Sequence, residues 1–414
     1  MKSVLFVDDE PKILAGLKRM LRGMRHDWRM DFVSGGAEAL ESMGREPFDI
    51  VVSDMKMPGM DGAELLSEVQ RVWPGTVRII LSGHASRVSM LKAVGPTQQY
   101  LAKPCDPESL KTAIERAWRL RALVPEATVR GWVGNVDTLP SPSPLFQAVT
   151  EQLRSPDVSH ERLSQVIGQD VGMTAKILQL ANSSYFGTTR RIRSVEAAVA
   201  HLGVEAIHTL VFSGHIFAAC RGSHVAGFSL ESLRRHSHLT SKFAAAIARE
   251  EEADDRLLED SAAAAMLHDV GKLLLSDEAP QHYEQIVEHR HSAETERRET
   301  EASHAAIGAY LLGLWGFPDE VLHAIEHHST PRECPEPGFG TVVIVHVANA
   351  LAREFAAEVG RPARPVDVEH LKALDFEHRL PVWREACRRS FAQHSEREVR
   401  VGEVHDEEED PVRR

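Results

Sequence analysis

Two sets of residues in this 414-residue chain have the types and spacing for chemistry. The first is Asp8 and Asp9 in "VDDE", Asp54 in "SDMKMPGMDG", Ser82 in "LSG" and Lys103 in "YLAKP". Carboxylates packed together repel one another unless a cation sits among them. Hard oxygen donors at that density suit Mg²⁺, which also binds phosphate oxygens. Lys103 adds a second positive charge for a phosphoryl group. A carboxylate can act as a nucleophile and form an aspartyl phosphate.

The second set centres on "AAAAMLHDVGKLLLSDE", Ala262 to Glu278, where an apolar run meets His268-Asp269 and then Gly271-Lys272. The chain has 22 histidines, most of them after residue 200. His236 and His238 lie in "RRHSHLTSK", His304 in "ASHAAIGAYLL", His327 and His328 in "AIEHHS", and His346 in "VVIVHVANALAR". Neutral imidazoles and carboxylates bind a borderline metal, which lowers the pKa of a bound water and polarises a phosphoryl group. The same residues can instead be scaffold, with imidazoles satisfied inside a helical core and Asp269 accepting backbone bonds. The residues alone leave both readings open.

The first set needs a sheet edge. Short apolar runs, Val4 to Val7, Asp31 to Ser34, Asp49 to Ser53, Val77 to Leu81 and Tyr100 to Ala102, alternate with helical patterns. That alternation predicts a five-stranded parallel sheet covered on both faces. Asp8, Asp9, Asp54, Ser82 and Lys103 all fall just after strands, and open parallel sheets bind ligands at that edge. In "DPESLKTAIERAW", Asp106 can cap and Pro107 suits the first helical position. Leu110, Ile114, Ala117 and Trp118 then share a face.

The pattern changes at "GWVGNVDTLPSPSPLF", Gly131 to Phe146, which predicts an extended connector or the entry to a second domain. From Phe146 to about Phe391 the periodicity is helical, with Gly187 and Gly203 as stops. The end from Gly402 is charged, with the composition of a disordered tail. The expected divisions are 1–124, a connector 125–144, a helical domain 145–335, its helical extension 336–395 and a tail 396–414. Arg190, Arg191 and Arg193 form a small basic spot beside Tyr185 and Phe186, read chiefly as a solvated loop.

The net charge of -13 argues against a broad grip on nucleic acid. The four cysteines, Cys105, Cys220, Cys334 and Cys387, form no C-x-x-C pair, which suggests reduced thiols in a cytoplasm. Acidic residues interrupt the amino terminus, so no signal peptide is expected. No run of about 18 apolar residues occurs, so no membrane span is expected.

"VDDE", "SDMKMPGMDG", "LSG" and "QYLAKP" together resemble the receiver domain of two-component response regulators, a flavodoxin-like α/β fold. The resemblance implies that a sensor histidine kinase phosphorylates Asp54. It implies Mg²⁺ on Asp8, Asp9, Asp54 and the Lys56 carbonyl, with Lys103 and Ser82 on the phosphate. Tyr100 would be the switch aromatic, and His84 would tune phosphate lifetime. "LPSPSPLFQAVTEQL", "VIGQDVGMTAKILQLANSSYFG", "IRSVEAAVAHLGVEAI" and "AAMLHDVGKLLL" resemble the HDOD domain, an all-α, HD-related output module. The wider resemblance to HD phosphohydrolases implies an Fe, Mn or Zn site drawn from His236, His268, Asp269, His304, His327, His328 and His346, with Lys272 as a phosphate contact. Where those enzymes have a later Asp, this chain offers His346, with Asn349 nearby. The resulting expectation is a response regulator with a non-catalytic HDOD output, an unknown protein partner and a homodimer as one option. The alternative is a receiver-gated, metal-dependent phosphohydrolase acting on a nucleotide or cyclic dinucleotide.

Overall fold

The computed structural model describes residues 1–83, 95–155, 157–183, 186, 190–212, 218–219, 225–288, 296, 302–356 and 365–393. His84, Tyr185, Gly187, the expected tail and the side chain of Ser82 lie outside them.

The N-terminal part runs β1 (Lys2–Val7), α1 (Pro11–Met20), β2 (Trp28–Val33), α2 (Gly36–Arg45), β3 (Ile50–Asp54), α3 (Gly62–Val72), β4 (Val77–Ser82), β5 (Gln99–Ala102) and α4 (Pro107–Leu120). The strands form one parallel sheet in the order β2-β1-β3-β4-β5. Alternate residues feed opposite faces. Leu5, Val51 and Ile80 join one apolar cluster, while Phe6, Val52 and Ile79 join another. A strand buried on both faces needs this near-continuous apolar run. Asp106 caps α4 by accepting from the Ser109 amide, with Pro107 at its start. Leu110, Ile114, Ala117 and Leu120 are buried. Trp118, expected on that face, is half-buried, with the Arg121 guanidinium 5.3 Å from its ring.

Part of the stretch 125–144 is helical. Residues Ala127–Asn135 form α5, capped by Glu126, with Val129 and Val133 buried one turn apart. Gly131 and Gly134 look like turn formers in the sequence. Gly134, however, lies so close to the end of α3 that a Cβ there would stand 1.7 Å from the Pro74 carbonyl oxygen. Glycine is needed for that approach rather than for a turn. Arg78, fully buried at the start of β4, donates to Gly134 O at 2.7 Å and Pro96 O at 2.6 Å. Gln70 adds bonds to Gly134 O, Asn135 O and the Asp137 carboxylate. Pro140–Ser141 then make a two-residue strand, β6, against β7 (Ala218–Ala219).

The helical half comprises α6 (Ser143–Arg154), α7 (His160–Ile167), α8 (Val171–Ala181), α9 (Val195–Leu202), α10 (Val204–Phe212), α11 (Leu230–Glu250), α12 (Asp255–Leu267), α13 (Val270–Glu278), α14 (Pro280–Glu288), α15 (His304–Leu314), α16 (Asp319–His327), α17 (Thr341–Ala356), α18 (Val368–Ala373) and α19, residues 380–393. Ser159, Asp170, Ser194, Ser229, Asp254 and Ser303 each cap a helix through a side-chain oxygen. α8 is buried along its whole length, which explains why it is apolar all round. Asn182 in "LANSSYFG" closes the loop after α8, exchanging amide bonds with Ile192. The basic spot is exposed at Arg190 and Arg191 and anchored at Arg193. Arg193 pairs with the buried Asp260 at 3.0 Å, and Arg191 donates to Gly316 O. α17 packs along α11, and Trp383 on α19 donates to Glu251 at 2.7 Å. No single described helix is long and apolar enough to cross a membrane.

Gly134→Ala is expected to cost about 1–3 kcal/mol of stability, as overpacking against backbone does. Chemical denaturation checks this, and an unchanged midpoint would show that α5 is not seated on Pro74.

Candidate functional site

At the carboxyl edge of the sheet, β1 delivers Asp8 and Asp9, β3 delivers Asp54, and β5 leads into Lys103. Asp8 and Asp54 are buried and Asp9 is half-buried. The Lys103 ammonium donates to Asp8 Oδ2 at 2.7 Å and to Asp54 Oδ1. Burial opposes a charged Lys103, but its bonds to Asp54 and Asp8 prevail and raise its pKa. Asp54 Oδ2 accepts from the Lys56 amide at 2.7 Å, and Asp8 Oδ1 from the Glu10 amide at 2.9 Å. Two carboxylates bonded to one ammonium, with Asp9 next in the chain, form a hard-oxygen donor set that fits Mg²⁺. Ser82 ends β4 at the same edge. Tyr100 on β5 is buried within the Leu5–Val51–Ile80 cluster, and burial pushes its hydroxyl pKa up.

The second set assembles where α12 meets α13. α12 ends at Leu267, His268 follows it, and Asp269 opens α13. α13 can lie against α15 because residue 271 is glycine. A Cβ there would stand 1.9 Å from the His304 carbonyl oxygen. His304 begins α15, and His328 follows the end of α16. His268, Asp269, His304 and His328 are all buried.

The imidazoles are held in a common way. His268 Nδ1 bonds Ala265 O at 2.7 Å, His328 Nδ1 bonds Ile325 O at 2.7 Å, and His304 Nδ1 bonds Glu296 at 2.6 Å. Each Nδ1–H donates, which leaves Nε2 as the ligand atom once the ring is neutral, as in metal-ligating histidines. The three Nε2 atoms and Asp269 Oδ1 are buried without an aligned hydrogen-bond partner. His304 Nε2 lies 3.2 Å and His328 Nε2 3.9 Å from Asp269 Oδ1. Donors at about 2.0–2.2 Å from one ion stand up to roughly 4.4 Å apart, so these three atoms can share an ion. His268 Nε2 is 3.4 Å from Asp269 Oδ2, and Lys272 Nζ is 2.7 Å from the same oxygen.

Burial works against a charged Asp269, but the neighbouring His268 and Lys272 charges hold its pKa well below the carboxylate range. Burial, reinforced by the charge of His268, drives His236 and His328 well below the usual imidazole value. His304 is the exception. Burial opposes its charged form, yet the Glu296 carboxylate outweighs burial and raises its pKa.

Two of the expected histidines, His346 and His327, are not brought to this point. His346 spends both ring nitrogens, Nδ1 on His328 O at 2.8 Å and Nε2 accepting the Asp367 amide at 2.9 Å. It braces His328 rather than offering a ligand atom. His327 faces Glu326 and His323 on the other side of α16. His236 is brought to the cluster, edge-on to His268, and with His268 and Asp269 it forms a second group whose ligand atoms lie within 4.8 Å of one another, while its Nε2 bonds the Asn349 side-chain oxygen at 2.9 Å. The sequence reading missed Glu296, whose one carboxylate oxygen accepts from both the His304 amide and the His304 ring. It sits in the acid-rich string "ETERRETEAS", where nothing singles it out.

Two family models match the chain. The response regulator receiver domain matches residues 4–115, and the HDOD domain matches residues 139–331. The chain belongs to the response regulators that join a receiver to an HDOD domain. Among its relatives, the transcriptional regulatory protein GlrR of Escherichia coli is 37% identical over 36% of this chain and 32% of its own length. An uncharacterized protein of Treponema pallidum is 25% identical over 62% of this chain and 50% of its own. The chain thus spans between about a third and half of these relatives' lengths. The MmoQ response regulator of Methylococcus capsulatus, a solved structure, is 24% identical at a TM-score of 0.48, covering 61% of this chain and 94% of that one. Receiver domains in general bind Mg²⁺ and are phosphorylated by sensor histidine kinases.

The Glu296–His304 pair in this response regulator makes a testable pH signature in the metal-free protein. Glu296 is held below its ordinary 4.5 by His304, against burial, so its contribution to stability is lost as pH falls through that lowered pKa. His304 is raised above 6.5, so its contribution is lost as pH rises through the raised value. The pair is therefore strongest between about pH 4.5 and 6.5. Glu296→Gln should lower the His304 pKa, read by NMR titration of the ring, and narrow the stability gain in that window.

Proposed function

We propose that Asp54 is the phosphoacceptor, that a sensor histidine kinase is the donor, and that the HDOD half is a non-catalytic output module. The Lys103 ammonium, bonded at once to Asp8 and Asp54, carries this reading. An Asp54 oxygen attacks the phosphorus of a phosphohistidine, the P–N bond breaks, and its electron pair leaves with the imidazole. Lys103 then meets an added charge of roughly -1.5 to -2 and exchanges its Asp54 contact for phosphoryl oxygen. Ser82 is assigned a hydrogen bond to that oxygen, and Tyr100 the conformational response. Mg²⁺ on Asp8, Asp9, Asp54 and the Lys56 carbonyl would neutralise the transferring oxygens.

We further infer that Asp269, His304 and His328, with His268 beside them, take one Fe, Mn or Zn ion. Their convergent, partnerless nitrogen and oxygen atoms support this. A phosphohydrolase needs more at this place. Asn349 stands near the position of the expected later carboxylate, and its amide oxygen engages His236. We therefore favour a protein partner for the HDOD half, with homodimerisation open. The free Cys105, Cys334 and Cys387 suit a cytoplasmic location, and the net charge of -13 makes nucleic acid a poor partner.

Asp54→Asn should abolish phosphoryl uptake from a kinase or a small phosphodonor, scored by phosphate-affinity electrophoresis. Retained uptake would place the acceptor elsewhere. Elemental analysis of the purified protein should find close to one transition metal per chain, lost in His304→Ala and Asp269→Ala but kept in His327→Ala. Equal loss in all three would sink the assignment of ligands.

A further inference from the structure

We propose that α15 couples the Asp269–His304–His328 site to the receiver, so that metal occupancy and phosphorylation bias one shared conformational equilibrium. This rests on the metal reading above and adds its regulation.

The two ends of α15 have different duties. Its first residue is His304. Near its other end, Leu120 of α4 packs onto Gly313, where a Cβ would lie 2.6 Å from Leu120 Cδ2. Tyr310, one turn earlier, is buried beside Arg78, Arg121 and Arg130 of the receiver side, and burial pushes its hydroxyl to about 12. α15 is buried on every side except at Ala306.

α4 is placed in series with it. Asp106, its cap, follows Lys103 by three residues, and its far end holds Arg116 and Leu120. Arg116 donates to Phe317 O and pairs with Asp319 at 2.8 Å, and Asp319 opens α16. Two of the three proposed ligands therefore ride on helices that the receiver grips. His304 is on α15, and His328 closes α16. Asp269 belongs to α13, whose helix meets α15 through Gly271. A rigid shift of α15 or α16 changes the two nitrogen-to-Asp269 separations, now 3.2 and 3.9 Å. Metal sites tolerate about ±0.2 Å in ligand distance, so such a shift changes affinity. Packed helices move between discrete arrangements rather than deforming smoothly.

Linkage makes the claim measurable from both ends, because coupled sites change each other's affinity by one common factor. The experiment uses the full chain with Mg²⁺, with and without beryllium fluoride as the phosphoryl mimic. Zn²⁺ affinity is read by competition with a chromophoric chelator. Loading should shift the Zn²⁺ Kd about fivefold or more. Saturating Zn²⁺ should shift the beryllium fluoride Kd by the same factor. Asp54→Asn should abolish the shift. Leu120→Ala should shrink it, and so should Arg116→Ala, which removes the contacts to Phe317 O and Asp319 at the receiver boundary. Zn²⁺ bound with one Kd in both states would overturn the coupling while leaving the metal site intact. No Zn²⁺ bound in either state would overturn both. A shift undiminished in both Leu120→Ala and Arg116→Ala would overturn the route through these helices.

Discussion

A buried guanidinium must find partners for its N–H donors inside the protein. Arg78 sits fully buried at the start of β4, and its donors reach Pro74 O, Thr76 O, Pro96 O and Gly134 O. Burial lowers its pKa to about 10, so it stays charged at neutral pH. Those carbonyls come from the end of α3, the edge of the sheet, the loop before β5 and the end of α5. Satisfying one side chain therefore fixes how the receiver meets the chain that leaves it. Asp137, just beyond α5, then offers its carbonyl to the buried Lys176 on α8, whose ammonium also lies 5.0 Å from the Trp315 ring. The helical half is aligned to the sheet through this relay, and one apolar cluster runs unbroken from Phe6 and Val52 through Val129 and Val133 to Val347.

Much of the sheet and its polar edge was legible in the sequence, because strand ends are local. A carboxylate or ammonium just after an apolar run has few places to go in a parallel α/β fold. Leu110, Ile114 and Ala117 were legible for the same reason, since a helical face repeats within one turn. The connector was not. Val129 and Val133 carry a helical repeat, but Gly131 and Gly134 mask it, and the need for Gly134 depends on Pro74, sixty residues earlier. His346 shows the same limit. Its position suggested a ligand, whereas its ring is spent on His328 O and the Asp367 amide. Glu296 is the converse case, a functional carboxylate without a pattern, identified only because His304 folds onto it.

Within the HD-like cluster, the chain has parted into two halves with different chemistry. On one side, His236 bonds Asn349 and stands beside His268 and Asp269. On the other, His304 and His328 are oriented from behind by Glu296 and a backbone carbonyl, and face Asp269. The histidine count alone could not make that distinction, since all these imidazoles look alike in the sequence.

Contacts between the sheet and the chain that follows it gather where the strands begin: Arg78 with Gly134, Gln98 with Gln179, and Leu120 in the last turn of α4 with Gly313. Asp54 and Lys103 lie where the strands end. At about 1.5 Å per residue, the fourteen residues of α4 span roughly 20 Å between those edges. Input and output thus occupy opposite rims of one sheet. A molecule docked over Asp54 and one docked on the helical half would not contend for the same surface, like two hands on opposite ends of a lever.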